Sequence, residues 1–305
     1  QTLTEPFKGM NLGGIEGCTG YYIDKAYTLI AYLTPFLIFA QLLLTFCKIS
    51  VRELMPSPWH GWLLLIQAIS SLVLAALLLW LPMREEYRDV FEGAMVCLIC
   101  PTATAAAVIT GKLGGSASSL TTYTLLSNLL AAIVVPLVFP LVEPHAEITF
   151  FAAFLKILGK VFPLLLFPFF LALFLRRFMP PIHRFLAGLR DMAFYLWAVA
   201  LAIVTGQTVK SLVNSEAEIY VEILIALGGL ITCIAQFYWG KRIGTKYNDR
   251  ISAGQALGQK NTVLAIWMSY TYLNPLSSVG PGSYVLWQNL FNSYQLWKKR
   301  KNELE

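Results

Sequence analysis

The sequence predicts an all-α polytopic membrane protein of about nine transmembrane helices, and three observations carry that prediction. Hydrophobic residues make up 57% of the 305 and charged ones 13%, with a mean hydropathy of +0.62, which is not the composition of a soluble domain. The apolar residues fall into separate blocks of roughly 20, the length an α-helix needs to cross about 30 Å of hydrocarbon. Within the blocks there is no period-two alternation, so helices rather than barrel strands must satisfy the backbone in lipid.

Taken in order, residues 1–26 are broken up by charges and glycines, never reach a spanning length of apolar residues, and lack the basic start and apolar stretch of a signal peptide. They are expected not to span. A first span over Tyr27–Phe46 ends at Lys48 and Arg52, and a second, Trp59–Leu81, ends at Arg84, Glu85, Glu86, Arg88, Asp89 and Glu92. The third, Val90–Thr110, ends at Lys112, and the fourth, Ser118–Leu141, at Glu143 and Glu147. The fifth, Phe151–Leu175, ends at Arg176, Arg177 and Arg184; the sixth, Phe185–Thr208, which carries Arg190 near its start, runs out at Lys210, Glu216 and Glu218. The seventh, Ile219–Tyr238, meets Lys241, Arg242, Lys246 and Arg250, the eighth is Ile251–Tyr272, and the ninth, Ser283–Trp297, runs into the basic tail 298–305. Alternate loops are therefore strongly basic, which places them and the C-terminus in the cytoplasm and the N-terminus outside, in an inner (plasma) membrane. The net charge of +6 is absorbed by this topology and calls for no nucleic-acid partner; the bilayer is the partner implied.

Classical catalytic sets are missing from the pattern. Cys97 and Cys100 form a CxxC with no second Cys or His pair to complete a metal site, so helix packing explains them best. Cys18, Cys47 and Cys233 stand apart, and His60, His145 and His183 lie in or near different loops, making neither a metal set nor a triad. No cofactor is implied. An intramembrane enzyme would also need paired carboxylates or a nucleophile and base at one depth, which the spans do not offer.

Polar material inside the membrane is expensive and points to function or to a bundle-facing side. Two segments stand out. In "CLICPTATAAAVITGKLGG", Cys97–Gly115, Pro101 removes a backbone donor and the small residues beyond it let another backbone approach. In "GQALGQKNTV", residues 254–263, glycines and amides surround Lys260. Each reads as a helix interrupted at mid-membrane, over 90–110 and 251–272, and the two lie five spans apart with one span following each. A repeat of five spans is inverted relative to its partner, the plan of many secondary transporters, with the broken ends meeting near the midplane. The plainer reading, that Pro and Gly kink packed helices, fits one such segment better than two matched ones.

"CPTATAAAV", "GQKNTVLA" and "VLWQN" resemble the motifs of the bile acid:sodium symporter family, and the likeness runs from about Tyr27 over the rest of the chain. It implies panel and core domains, with a first repeat over 27–142 and a second over 143–297, two discontinuous core helices that cross, and alternating access to a substrate beside the crossing. It also implies that the first of the family's usual ten helices is missing here. By resemblance Thr104, Asn261, its neighbour Thr262, and Asn289 border the substrate anion, Gln67 and Thr124 fall on sodium-site positions, and Gln255 and Gln259 flank them. The plainer reading of each is an interhelical hydrogen bond worth about 0.6 kcal/mol.

The chain departs from the family where sodium binds. Ala106 and Ala107 replace a Ser-Asn pair, Ala256 (beside neutral Gln255) replaces a central glutamate, and Lys260 replaces a glutamine. Sodium needs several oxygen ligands with some negative charge. Losing a carboxylate and two side-chain oxygens while gaining an ammonium removes one sodium site or both. Three roles for Lys260 are open: a fixed substitute for sodium with its amine among the carbonyls of the breaks, a proton carrier, or a direct partner of a substrate carboxylate. Snorkelling suits Lys260 poorly at mid-helix, but suits Lys156 and Lys160 at a span's end. The expected function is secondary transport of small organic anions, bile-acid-like or smaller carboxylates, sodium-independent or proton-linked. A sodium-coupled symporter with altered ion sites and a non-transporting membrane sensor stay as alternatives.

Overall fold

The computed structural model describes residues 33–49, 54–144, 148–189, 191–215 and 217–304. The N-terminal segment 1–26, the start of the first span, Cys18, Arg52, His145, Glu147, Arg190 and Glu216 lie outside the described residues. Among those described, the chain folds into α-helices and short connections with no strand: α1 (Leu33–Cys47), α2 (Pro58–Trp80), α3 (Glu85–Ile99), α4 (Ala106–Leu113), α5 (Ala117–Val142), α6 (Phe150–Phe178), α7 (Pro180–Gly188), α8 (Met192–Val213), α9 (Ile219–Lys246), α10 (Arg250–Gly258), α11 (Thr262–Tyr272) and α12 (Val279–Leu304). A 3₁₀ turn, Pro275–Ser278, links α11 to α12.

Helices α2, α5, α6, α8 and α9 are each long and apolar enough to cross a membrane. The third and eighth spans expected from the sequence are present in two pieces, α3 with α4 and α10 with α11. Large apolar side chains stay exposed along whole helix faces, such as Trp62, Leu65, Ile69 and Val73 on α2 and Phe162, Phe167, Phe170 and Phe174 on α6. In water such faces would be association sites; in lipid they are the solvent-matched surface.

Inside, one apolar cluster joins Ile38 and Leu42 of α1, Val135 and Phe139 of α5, Val161 and Leu165 of α6, and Val263 to Met268 of α11. Lipid tails are as apolar as these side chains, so close packing rather than expulsion of water must hold the helices together. The α9–α10 contact shows how: a Cβ on Gly240 would lie 2.5 Å from the Ala253 carbonyl oxygen, and one on Gly244 would lie 2.5 Å from Ala253 Cβ. This G-x-x-x-G face lets two backbones touch and seats α10 against a rigid neighbour.

Two boundaries differ from the sequence reading. The sixth span does not begin at Phe185: Pro180 and Pro181 start a separate helix α7, and α8 begins at Met192. Proline favours the first turn because its missing N–H is not needed there. The acids assigned to a loop after α2 are also partly inside, because α3 begins at Glu85 and buries Asp89 (7% exposed) and Glu92 (0%). Arg88 Nε lies 3.1 Å from Glu92 Oε1, and the Arg88 guanidinium also donates to the carbonyls of Leu78 and Val142. An arginine with five donors can neutralise a buried acid and tie α2, α3 and α5 at once.

Candidate functional site: the crossing of two broken helices

Breaking a helix strands its last four carbonyls, and in lipid each must find a donor. Pro101 starts the first break, since it has no N–H to return to Cys97. The Cys97 carbonyl instead accepts from Gln236 Nε2 (3.3 Å). Leu98 accepts from the ammonium Nζ of Lys260 (3.2 Å), and Ile99 and Cys100 both accept from Gln67 Nε2 (2.9 and 3.2 Å). Side chains from three other elements thus cap the C-terminal end of α3, and the one that carries charge sits at the negative pole of its dipole.

The second break answers the first. Tyr284 donates to the Gly258 carbonyl (2.7 Å) and Thr102 Oγ1 to that of Ala256 (2.6 Å). Between the breaks, Ala103 N–H donates to Gln259 O and Asn261 N–H to Pro101 O, both at 2.9 Å, forming a short antiparallel bridge centred on Thr102 and Lys260. The central N–H groups each turn to a side chain of the helix that follows: Thr102 N–H to Ser127 Oγ of α5 (3.1 Å), Lys260 N–H to Gln288 Oε1 of α12 (2.9 Å). Lys260 is 1% exposed, and the crossing is packed closed around it.

The expected site residues divide among several jobs. Asn261 caps α11, its Oδ1 accepting from Leu264 N–H (3.3 Å), while Thr262 is buried beside it. Thr104 is half-buried and accepts from Gln41 Nε2 (3.0 Å), which ties the first break to α1. Gln67 is at the crossing, with its Oε1 taken by the Tyr123 hydroxyl (3.0 Å). Thr124 returns its hydroxyl to Leu120 O in its own helix (3.0 Å). Gln255 donates to Asn292 Oδ1 (3.0 Å). The side-chain oxygens of Gln255 and Gln259 are buried with no donor among the described residues. Asn289 is exposed on α12 and takes no part in bonding the crossing, a role that falls to Gln288. Gln41, Gln236, Tyr284 and Gln288 were not picked out from the sequence. Gln41 and Gln236 are polar groups in apolar helices, and that expense is the available clue, whereas Tyr284 and Gln288 lie among other polar residues of α12 and give no such signal.

At two of the positions where the family resemblance places sodium ligands, Ala106 and Ala256, the surroundings are apolar, while Gln67 and Thr124 keep their polar groups in hydrogen bonds. Ala106 and Ala256 pack with Trp59, Leu63, Leu120, Tyr123, Ala253 and Leu257 in one buried cluster. Among the described residues no group of three or more His, Cys, Asp or Glu side chains is placed to hold a metal.

Two discontinuous helices that cross at their breaks in a polytopic bundle define a membrane transporter rather than an enzyme. The sequence agrees: a model of the SBF-like CPA transporter family matches residues 28–297, and the chain belongs to that family. It is a multi-pass membrane protein and a transporter of the bile acid:sodium symporter type. Among curated proteins none matches the chain.

Proposed function

We propose that the protein is a secondary transporter of small organic anions, bile-acid-like or smaller carboxylates, that works by alternating access without sodium. The observation that carries the proposal is the Lys260 ammonium, fully buried at the crossing and bonded to Leu98 O at the carbonyl end of α3. A free sodium ion would seek such carbonyls; a tethered cation supplies the same charge with no ion to bind or release. The apolar packing of Ala106 and Ala256 supports the same reading, since an alanine offers no side-chain oxygen at either position.

The inverted repeat, 27–142 and 143–297, is supported by the way α5 and α12 each take the central N–H of the broken helix before them. For the panel, α1 packs on α6 through Phe39–Phe167 and Phe46–Phe169, while the Gln41–Thr104 bond places α1 against the crossing. Substrate would meet Thr104 and Asn261 between α1 and the breaks. Basic loops set the cytoplasmic side, with the acidic-loop end outward in an inner (plasma) membrane.

The test is uptake of radiolabelled pyruvate, succinate and taurocholate into proteoliposomes under separately imposed sodium and proton gradients, with Lys260→Gln as the variant. Counterflow of at least one anion, unstimulated by sodium and lost in the variant, is the expected result. Binding with no counterflow of any of them would instead make the protein a sensor.

A further inference from the structure

At the acidic-loop end of the bundle, α5, α6 and α11 line an open cavity of about 130 Å³. Its wall includes Phe139, Glu143, Lys156, Lys160, Thr271 and Tyr272. The two lysines are one helical turn apart on α6, on the side where Ala153 and Ile157 are buried, so their stems run along a protein-lined cavity. Lys160 is ten residues into α6, about 15 Å along its axis from the first turn. Both lysines are exposed at the rim of this cavity, so their ammonium groups are open to a ligand entering it.

The charges in the cavity do not cancel. Arg88 is shared, 3.1 Å from Glu92 and 3.9 Å from Glu143, so Glu143 still counts as a charge at the wall, and the two lysines outnumber this one carboxylate. Among the described residues neither Lys156 nor Lys160 has an ion pair or hydrogen bond. The Tyr272 hydroxyl, on a residue 8% exposed, is buried with no hydrogen-bond partner among the described residues. Two ammonium groups and a free phenolic donor around a space for about four waters suit the head of a carboxylate. Tyr272 ends α11, whose first residue Thr262 follows Asn261 at the crossing, so the cavity stands about 16 Å along α11 from the break.

We infer that this cavity is an outer anion-binding site that holds a small organic carboxylate between Lys156 and Lys160 before it reaches the crossing. The inference rests on the transport reading for its place on the path, but its test does not need transport.

Thr271→Cys, at an exposed position on the wall, is introduced into the full chain in phosphatidylcholine proteoliposomes, with labelling of the parent chain subtracted. Its rate of modification is compared for anionic and cationic methanethiosulfonates. The anionic reagent is favoured, and the ratio falls about tenfold in the Lys156→Gln/Lys160→Gln double variant, the size expected when a site that concentrates anions loses its charge. Millimolar succinate slows labelling of Thr271→Cys when both lysines are present and not when both are replaced. An unchanged ratio overturns the site, as does slowing by phosphatidylglycerol in the bilayer without slowing by succinate, which would assign the cavity to a lipid headgroup. A chain that fails to transport but shows the labelling pattern keeps the site and loses only the transport reading.

Discussion

Lys260→Met separates a lysine kept for function from one kept for stability. The substitution preserves length and removes the charge. It leaves the Leu98 carbonyl without its 3.2 Å donor, which costs about 1–3 kcal/mol for a buried acceptor. Against that, it relieves the burial of an ammonium that is 1% exposed and has no carboxylate partner among the described residues, a penalty of several kcal/mol in an apolar interior. The α3 dipole offsets about 2 kcal/mol of that penalty at most. The two sides nearly balance, with the sign favouring methionine. Apparent melting in nanodiscs should therefore stay level or rise by a few degrees, while anion counterflow is lost. A marked fall in melting temperature with counterflow retained in the folded fraction would refute the reasoning and make Lys260 a structural cap.

Four further outcomes follow from the geometry. Thr102→Val removes the 2.6 Å donor to Ala256 O and should cost about 1–3 kcal/mol, read as a lower melting temperature, while Thr102→Ser stays close to the parent. Gly240→Ala drives a Cβ to 2.5 Å from Ala253 O between two backbones and should reduce the yield of monodisperse protein, whereas Gly111→Ala, which meets nothing within 4 Å, should not. Gly258→Ala places a Cβ 2.5 Å from the ring of the buried Phe237, so it should cost about 1–3 kcal/mol and slow counterflow through distortion of the second break. Gln41→Leu cuts the bond between α1 and Thr104; stability should change by less than about 1 kcal/mol, since the site is part of a lipid-embedded interface, and the apparent KM for substrate should shift.

The broken helices were legible because both of their signals are local. Pro101 and the run around Lys260 interrupt apolar spans at sites where only polar backbone lining a buried site is tolerated. What closes each break was not legible. Gln236 and Gln67 reach α3 from other helices, and sequence spacing says nothing of which carbonyl they will meet. Gln288 carries no such local signal, since the motif ends on Asn289, although Tyr284, Gln288 and Asn292 recur every four residues and are all buried. Glu92 and Asp89 read as loop charges because hydropathy starts the span at Val90, and only the fold shows both buried, with Arg88 paired to Glu92. The cavity near Lys156 needs three helices far apart in sequence, so one helix alone gives no sign of it.

Sodium dependence tests the central claim most directly. Counterflow of the transported anion is measured in parent proteoliposomes as sodium replaces potassium at constant ionic strength, beside an Ala256→Glu/Lys260→Gln double variant. With Lys260 standing in for the ion, the parent is flat across the titration and the double variant, given back a carboxylate and relieved of the ammonium, gains a sodium response. Sodium-stimulated counterflow by the parent would contradict the account.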